Sequence, residues 1–468
     1  MEILERVQQC VQGAMEQAAR EHGVAASEVA GVGITNQRET VVVWDRASGR
    51  PLHNAVVWHD LRTADVVKEL CEAHGGIDAF RATCGLPIST YFSATKLLWL
   101  KRHVPEVAAA MADGSAMVGT IDSWLLYNLT GGAKAGGVHV TDVSNASRTM
   151  LMELKSGSWH APTCEAFGIP LGCLPAIRSN AEVYGRITSG ALAGVKLSGC
   201  VGDQQAAVLG HRCREGEAKN TYGTGCFMLL HTGARPVPST HGLLSTALWR
   251  LGASAPLQFA LEGSVATAGC GVQWLRDKLG IIGSSAEVET KAASVPDTAG
   301  VYFVPALTGL FAPHWRPDAR GTLVGLTHYS TAAHICRAML EAICFQSGEV
   351  LTAMTKDEAA MHNAMELKRL VVDGGACVNN LLMQTQADLL GVPVFRPNYV
   401  ETTALGAALA AGVGAGVWTE EDLFAQADGT NGRTFTPGNG EVDRARRKRR
   451  WAQALERSLD WGEEDTVA

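Results

Sequence analysis

Asp203 stands where an apolar run ends and a helical one begins, between LSGCVG (197–202) and QQAAVLG (204–210). A carboxylate there lies on the carboxyl edge of a sheet, where open α/β folds hold ligands. The positive end of a helix keeps it ionised, able to take a proton from a hydroxyl. An ordinary N-cap explains the same placement.

Two glycine turns offer a second kind of chemistry. In TYGTGCF (221–227) two glycines flank Thr224, giving a turn with free N–H groups and a hydroxyl that could cradle phosphate oxygens. A plain β-hairpin fits those residues equally. In VVDGGACVNN (371–380), Gly374 and Gly375 allow close backbone approach just before a helix that starts near Asn379. A tight strand-to-helix turn would need the same glycines. A third kind of chemistry lies in NQRET (36–40), where Arg38 and Glu39 sit between two apolar strands. Charges in such a place are paired or functional. A donor fork beside a carboxylate acceptor suits the neighbouring hydroxyls of a neutral polyol, and an internal salt bridge accounts for them as well.

The chain around these residues is α/β in pattern, with short β-branched strands, glycine turns and helical stretches alternating. The strand–turn–helix unit near 202–210 recurs in kind near 373–383, which suggests two related halves. Across 468 residues the chain has 46% hydrophobic and 19% charged residues, enough apolar surface for large cores. Its net charge of −7 argues against nucleic acid as the main partner. The 12 cysteines contain no CxxC pair, so a zinc ribbon is excluded and buried reduced thiols are expected. There is no GxxxxGK[ST], no GxGxxG after a strand, no HExxH and no GxSxG. The run TALGAALAAGVGAGVW (403–418) is Ala and Gly, suited to close helix packing rather than a membrane span. The chain opens on an amphipathic helix with Ile3, Val7, Val11, Met15 and Ala18 on one face. ADGTNGRTFTPGNG (427–440) reads as a loop, and RARRKRR (444–450) as a solvated helical face.

Taken together, GITNQRET, TDVSNASRTML, GDQQAA, AKNTYGTGCF, ALEGSVATAG, VDGGACVNNLLMQ and ETTALGAALAAG, in that order, resemble the FGGY carbohydrate kinases. The likeness runs from Met1 to about Trp461. NQRET and AKNTYGTGCF look like the branch that phosphorylates glycerol. The resemblance implies two actin-like, ribonuclease-H-like lobes with an interlobe cleft: residues 1–208 binding glycerol and 209–468 binding ATP. It implies ATP-dependent conversion of glycerol to sn-glycerol 3-phosphate, with Mg²⁺ on the phosphates. By the same match Asp203 is the base, while Arg38, Glu39, Tyr91 and Gln204 bond the hydroxyls. Trp58 is an apolar wall. Thr224 faces the terminal phosphates, Gly269 and Gln273 lie beside the nucleotide, and Gly375 and Asn379 lie against the α-phosphate and adenosine. No protein metal ligand is assigned. A homodimer or homotetramer in the cytoplasm is expected. Only Lys196 is basic where some bacterial members bind a regulatory sugar bisphosphate, so that control is not expected. The alternatives are a non-catalytic glycerol or nucleotide binder, or a kinase of another FGGY sugar.

Family members open with a strand and a Gly-Thr-rich hairpin of the form DQGTTS on the β- and γ-phosphates, a motif this sequence does not contain. An incomplete or mis-started sequence is therefore expected in preference to a degenerate product, with this chain weak or inactive and the complete protein active.

Overall fold

The computed structural model describes residues 1–361, 367–399, 401–425, 431–438 and 440–462. Helix α1 (Glu2–His22) leads the chain, with no fully buried residue. Its inward stripe is Leu4, Val7, Val11 and Met15, which pack on a first-half core. Ile3, expected on that stripe, is 38% exposed: at 100° per residue it falls just off the face that Leu4 leads.

The first half has its strands in small groups. Strand β1 (Val32–Asn36) does not pair with β2 (Val41–Asp45), which instead lies antiparallel to β3 (Ala116–Thr120). β1 runs parallel to the later β5 (Lys196–Gly202), with Ile34 opposite Cys200, and β4 (Ala181–Arg186) lies antiparallel on the other side of β5. The order is β1–β5–β4. The segment between β1 and β2 is thus released from both sheets, and it carries Arg38 and Glu39. Helix α2 (Asp203–Gly210) follows β5 without a linker.

Beside a separate antiparallel pair at Tyr302–Val304 and Thr322–Val324, the second half is built on a seven-stranded sheet. Its strands are β6 (Ala218–Tyr222), β7 (Cys226–Gly233), β8 (Leu244–Trp249), β9 (Gln258–Val265), β10 (Leu370–Asp373), β11 (Val394–Pro397) and β12 (Gly432–Phe435), in the order β8–β9–β7–β6–β10–β11–β12. β6, β10 and β11 are mutually parallel, and the pairings of β7, β8, β9 and β12 are antiparallel. β12 corrects the expected loop at 427–440: four of its residues close the sheet against β11, while 427–430 and 439 lie outside the described residues. GRTF is too short and polar for its pattern to signal a strand.

Helix α3 (Gly269–Asp277) follows β9, α4 (Asn380–Leu390) follows β10, and α5 (Thr402–Ala415) follows β11. α5 is the Ala/Gly run, and it crosses α2 at backbone contact distance. A Cβ on Gly406 would stand 1.8 Å from the Ala206 carbonyl oxygen, so any larger side chain forces the helices apart. Around that crossing Val201, Ala206 and Leu209 share a core with Leu229, Trp249, Val371 and Leu409. The junction of the halves is therefore packed interior. Helix α6 (Glu441–Glu456) holds the basic run, which is not wholly solvated: Arg447 pairs with Glu341 at 2.8 Å and is only 17% exposed. Among the described residues no helix is long and apolar enough to cross a membrane, and all 12 cysteines are free thiols.

Candidate active site

Asp203 is the first residue of α2, one position inside the helix, and Gly202 holds the N-cap position. The cap reading is corrected accordingly: Asp203 Oδ1 accepts from the adjacent Gln204 N–H at 2.7 Å, not from an N–H two or three residues on as an N-cap would. Its side chain is 33% exposed, and Arg38 Nε lies 3.2 Å from the same oxygen. An N-terminal carboxylate with one oxygen occupied keeps the other for a ligand.

Arg38 and Glu39 reach this point from a strained turn. The Thr40 N–H bonds back to the Arg38 carbonyl at 2.7 Å, and Glu39 between them has φ +61°. A non-glycine residue at the centre of such a γ-turn costs about 1–3 kcal/mol. The strain turns both side chains inward, where each is buried. Arg38 donates both Nη groups to Glu262 of β9, at 2.6 and 2.8 Å, and Nη1 also reaches Gln205 Oε1 at 3.2 Å. Glu39 accepts from Arg148 Nε at 2.7 Å, and Arg148 Nη2 lies 3.2 Å from Glu262.

Both glutamates are buried beside arginines, yet they move in opposite directions. For Glu39, burial outweighs Arg148 and Arg38, and its carboxyl is raised. For Glu262, burial also raises, but Arg148 and Arg38 together overcome it and hold the carboxyl down to about 2. The bidentate bond to Arg38 on top of the approach of Arg148 makes the difference.

The aromatic side of the pocket is built edge to face. Trp58 meets Tyr91 at 5.4 Å and, from the second half, Phe227 at 6.3 Å. The Arg148 guanidinium lies 5.7 Å from the centroid of Tyr91. Gln204 faces the other way: its Oε1 accepts from Lys219 Nζ at 2.7 Å, and Lys219 also reaches Thr221 Oγ1 at 2.7 Å. Burial lowers Lys219, against Asp373, Asp203 and Glu262. Asp373 binds His211 Nε2 at 2.9 Å and the Thr402 hydroxyl. This second network ties α2 to β6, β10 and α5.

Three glycine turns meet at the ends of β6 and β10. The 223–225 turn is a hairpin, as one of the two readings had it: Tyr222 opposes Cys226 and the Gly223 N–H bonds Gly225 O at 2.9 Å. Its carbonyls accept from the start of α3, from Gly269 N at 3.0 Å and Cys270 N at 3.0 Å, while Thr224 itself is exposed. Gly374 has φ +85°, and a Cβ there would stand 2.6 Å from Tyr222 O. Gly375 next to it is exposed, with nothing within 4 Å of an added Cβ. Asn379 is the N-cap of α4, its Oδ1 accepting from Leu382 N at 2.8 Å. Gln273 is exposed one turn into α3.

The structure thus joins Arg38, Glu39 and Asp203 directly, brings in Tyr91 with Trp58 against it through Arg148, and gathers Thr224, Gly269 and Gly375 around one corner. Gln273 and Asn379 flank that corner, Gln273 one helical turn after Gly269 and Asn379 donating its N–H to Ala376 O at 3.3 Å. Sequence reasoning missed Arg148, Glu262, Lys219 and Phe227. The available signal was a single charge in each of two apolar stretches, FALEGSV and NASRTML, since a buried charge needs a partner.

One triad among the described residues has metal-ligand spacing, Asp122, Asp142 and Cys200, all buried. Thr141 donates to Asp122, and Ser144 N and the amides of Asn145 and Asn180 donate to Asp142. A thiol beside occupied carboxylates does not suit Mg²⁺, which takes oxygen ligands and keeps several waters.

The model of the FGGY family of carbohydrate kinases, N-terminal domain, matches residues 1–210, and that of the C-terminal domain matches 218–415. A curated glycerol kinase of Arabidopsis thaliana is 52% identical, with 98% of this chain and 89% of that protein covered. One from Brucella anthropi is 50% identical over 98% of this chain and 90% of its own. Plasmodium falciparum glycerol kinase, solved with ADP, superposes with TM-score 0.85 at 38% identity, over 92% of this chain and 84% of that one. Gluconate kinase from Lactobacillus acidophilus shares the fold at TM-score 0.81 and 20% identity, over 97% and 88%. With both domain models matched in order along the chain, it belongs to the FGGY family of carbohydrate kinases.

Proposed function

We propose that this chain transfers the γ-phosphoryl group of ATP to a terminal hydroxyl of glycerol. The observation that carries the reading is Asp203, which lies 3.2 Å from the polyol-suited Arg38 and joins the glycine corner through Gln204, Lys219 and Thr221. A hydroxyl oxygen forms the new bond to Pγ as the bond to the β-phosphate oxygen breaks. The hydroxyl proton passes to the free oxygen of Asp203, and ADP leaves.

Hydrogen-bond counting supports a polyol. Arg38 has one Nη2 hydrogen uncommitted after Glu262, and Glu39 has Oε2 free after Arg148. Together they offer a donor and an acceptor to adjacent hydroxyls, and Trp58 covers carbon. Residues 1–208 are the glycerol side and 209–468 the ATP side, with Glu262 and Phe227 reaching across. Thr224 and Gly375 present a hydroxyl and open backbone to phosphate, with Gly269 behind them and Asn379 and Gln273 at the flank. Mg²⁺ bound with ATP would neutralise charge on the phosphates. Asp203 and the unpartnered Oδ1 of Asp373 are the nearby carboxylate oxygens suited to it or to its waters.

The test is ADP release that depends on glycerol, with Asp203→Asn. Turnover should fall by about 10²–10⁴-fold with glycerol binding nearly intact. Unchanged turnover would exclude Asp203 as the base.

A further inference from the structure

We infer that Glu262 is a positioning residue for the acceptor, supplied by the second half to the polyol pocket of the first. This rests on the glycerol reading above. Glu262 lies on β9, 224 residues from Arg38, yet it takes both Nη groups of that side chain and approaches Nη2 of Arg148. Two buried cations from one half therefore share a carboxylate from the other. The pairing decides which hydrogens of Arg38 remain. With Nη1 and one Nη2 hydrogen committed, the guanidinium plane is fixed by a fork, and one Nη2 hydrogen is left to meet a hydroxyl.

Glu262 also keeps Asp203 from becoming the principal partner of Arg38. Asp203 Oδ1 already lies 3.2 Å from Nε. Were both Nη groups released, the fork would be free to turn onto that carboxylate, occupying the oxygen that must take a proton. The strand holding Glu262 cannot drift from the pocket unaided. Its neighbour β8 is bonded to the first half through Ser245 N to Gly85 O at 3.0 Å, Ser147 Oγ to Thr246 Oγ1 at 2.9 Å and Gln205 Nε2 to Ala247 O at 3.1 Å. The β8–β9 hairpin is thus a fixed wall of the acceptor pocket, although the chain places it in the nucleotide half.

The experiment measures glycerol and ADP binding by calorimetry, with initial rates, for the full chain and for Glu262→Gln and Glu262→Asp. The second variant keeps the charge and withdraws it by one methylene, so it reports even if loss of the charge prevents folding. Expected are at least tenfold weaker glycerol binding in Glu262→Gln and threefold or more in Glu262→Asp, with ADP binding within twofold of wild type. Wild-type glycerol affinity in a folded variant would overturn the inference. So would equal weakening of glycerol and ADP, the mark of general loosening. A wild-type chain that neither binds nor phosphorylates glycerol would instead refute the functional reading, and this inference with it.

Discussion

The two sides of the site are built from different materials. The proposed acceptor pocket is made of side chains, Arg38, Glu39, Arg148 and Glu262, locked into one buried charge network. The proposed nucleotide corner is made of backbone, with Gly225, Gly269 and Gly374 packed so closely that no Cβ fits. A side-chain site specifies by donor and acceptor placement and is costly to hold, because each buried charge must be matched. A backbone site specifies by shape and by N–H groups that any residue carries, provided the chain can adopt the turn. The consequence is opposite sensitivity. The first should fail on loss of one charge, and the second on gain of one methyl.

The sharpest way to break that contrast is Arg38→Ala. It removes the fork and leaves Glu262 facing Arg148 alone, so kcat/KM for glycerol should fall by three orders of magnitude or more in steady-state rates. A fall below tenfold would mean the network is structural only. Next comes Gly374→Ala. With φ at +85° and a backbone oxygen 2.6 Å from the new Cβ, the neighbour cannot yield by rotating a side chain. Thermal unfolding should show a loss of about 1–3 kcal/mol, and the KM for ATP should rise more than that for glycerol.

The pH dependence of the charged side has a definite sign. Burial raises Glu262, Arg148 and Arg38 more than offset it, and the carboxyl sits at about 2 instead of 4.5. A depressed carboxyl contributes stability that is present above about pH 4.5 and lost as pH falls toward 2. Glu39 is raised by burial, so its contribution has the opposite sign and declines as pH rises through its elevated value. Melting curves between pH 5 and 2.5 should therefore steepen in wild type and flatten in Glu262→Gln, which starts lower at pH 7. Parallel curves would remove Glu262 as the source of the acid limb.

How much was legible follows from the same division. Arg38 and Glu39 were readable because two charges adjoin between apolar strands, and the glycine turns because Gly-Gly and Gly-Thr-Gly punctuate strand ends. Glu262, Arg148 and Lys219 were not singled out. Each is one charge in its segment, and the partners lie 224, 109 and 15 residues away, so only the fold brings them together. The α/β alternation and the close packing of 403–418 were plain from composition. That β1 and β2 belong to different sheets was not, since strand pairing is a long-range outcome that local pattern does not encode. The four-residue β12 was hidden for the converse reason, too little pattern to read.

Thr224→Val is the finest discriminator between side-chain and backbone recognition. The substitution keeps the β-branch and the volume and deletes the one hydroxyl at the tip of the 223–225 turn. It leaves untouched the Gly223 N–H bond to Gly225 and the two bonds from Gly269 and Cys270 that hold the turn against α3. The residue is exposed, so stability should change by less than about 0.5 kcal/mol. If backbone N–H groups carry most of the phosphate recognition, the hydroxyl contributes one hydrogen bond to a charged oxygen, about 1.5–3 kcal/mol at most. The KM for ATP should then rise by about ten- to 150-fold at most, with the KM for glycerol unchanged. A rise of a thousandfold would place recognition in the Thr224 side chain, and the nucleotide corner would have to be counted with the acceptor pocket as a site specified by its side chains.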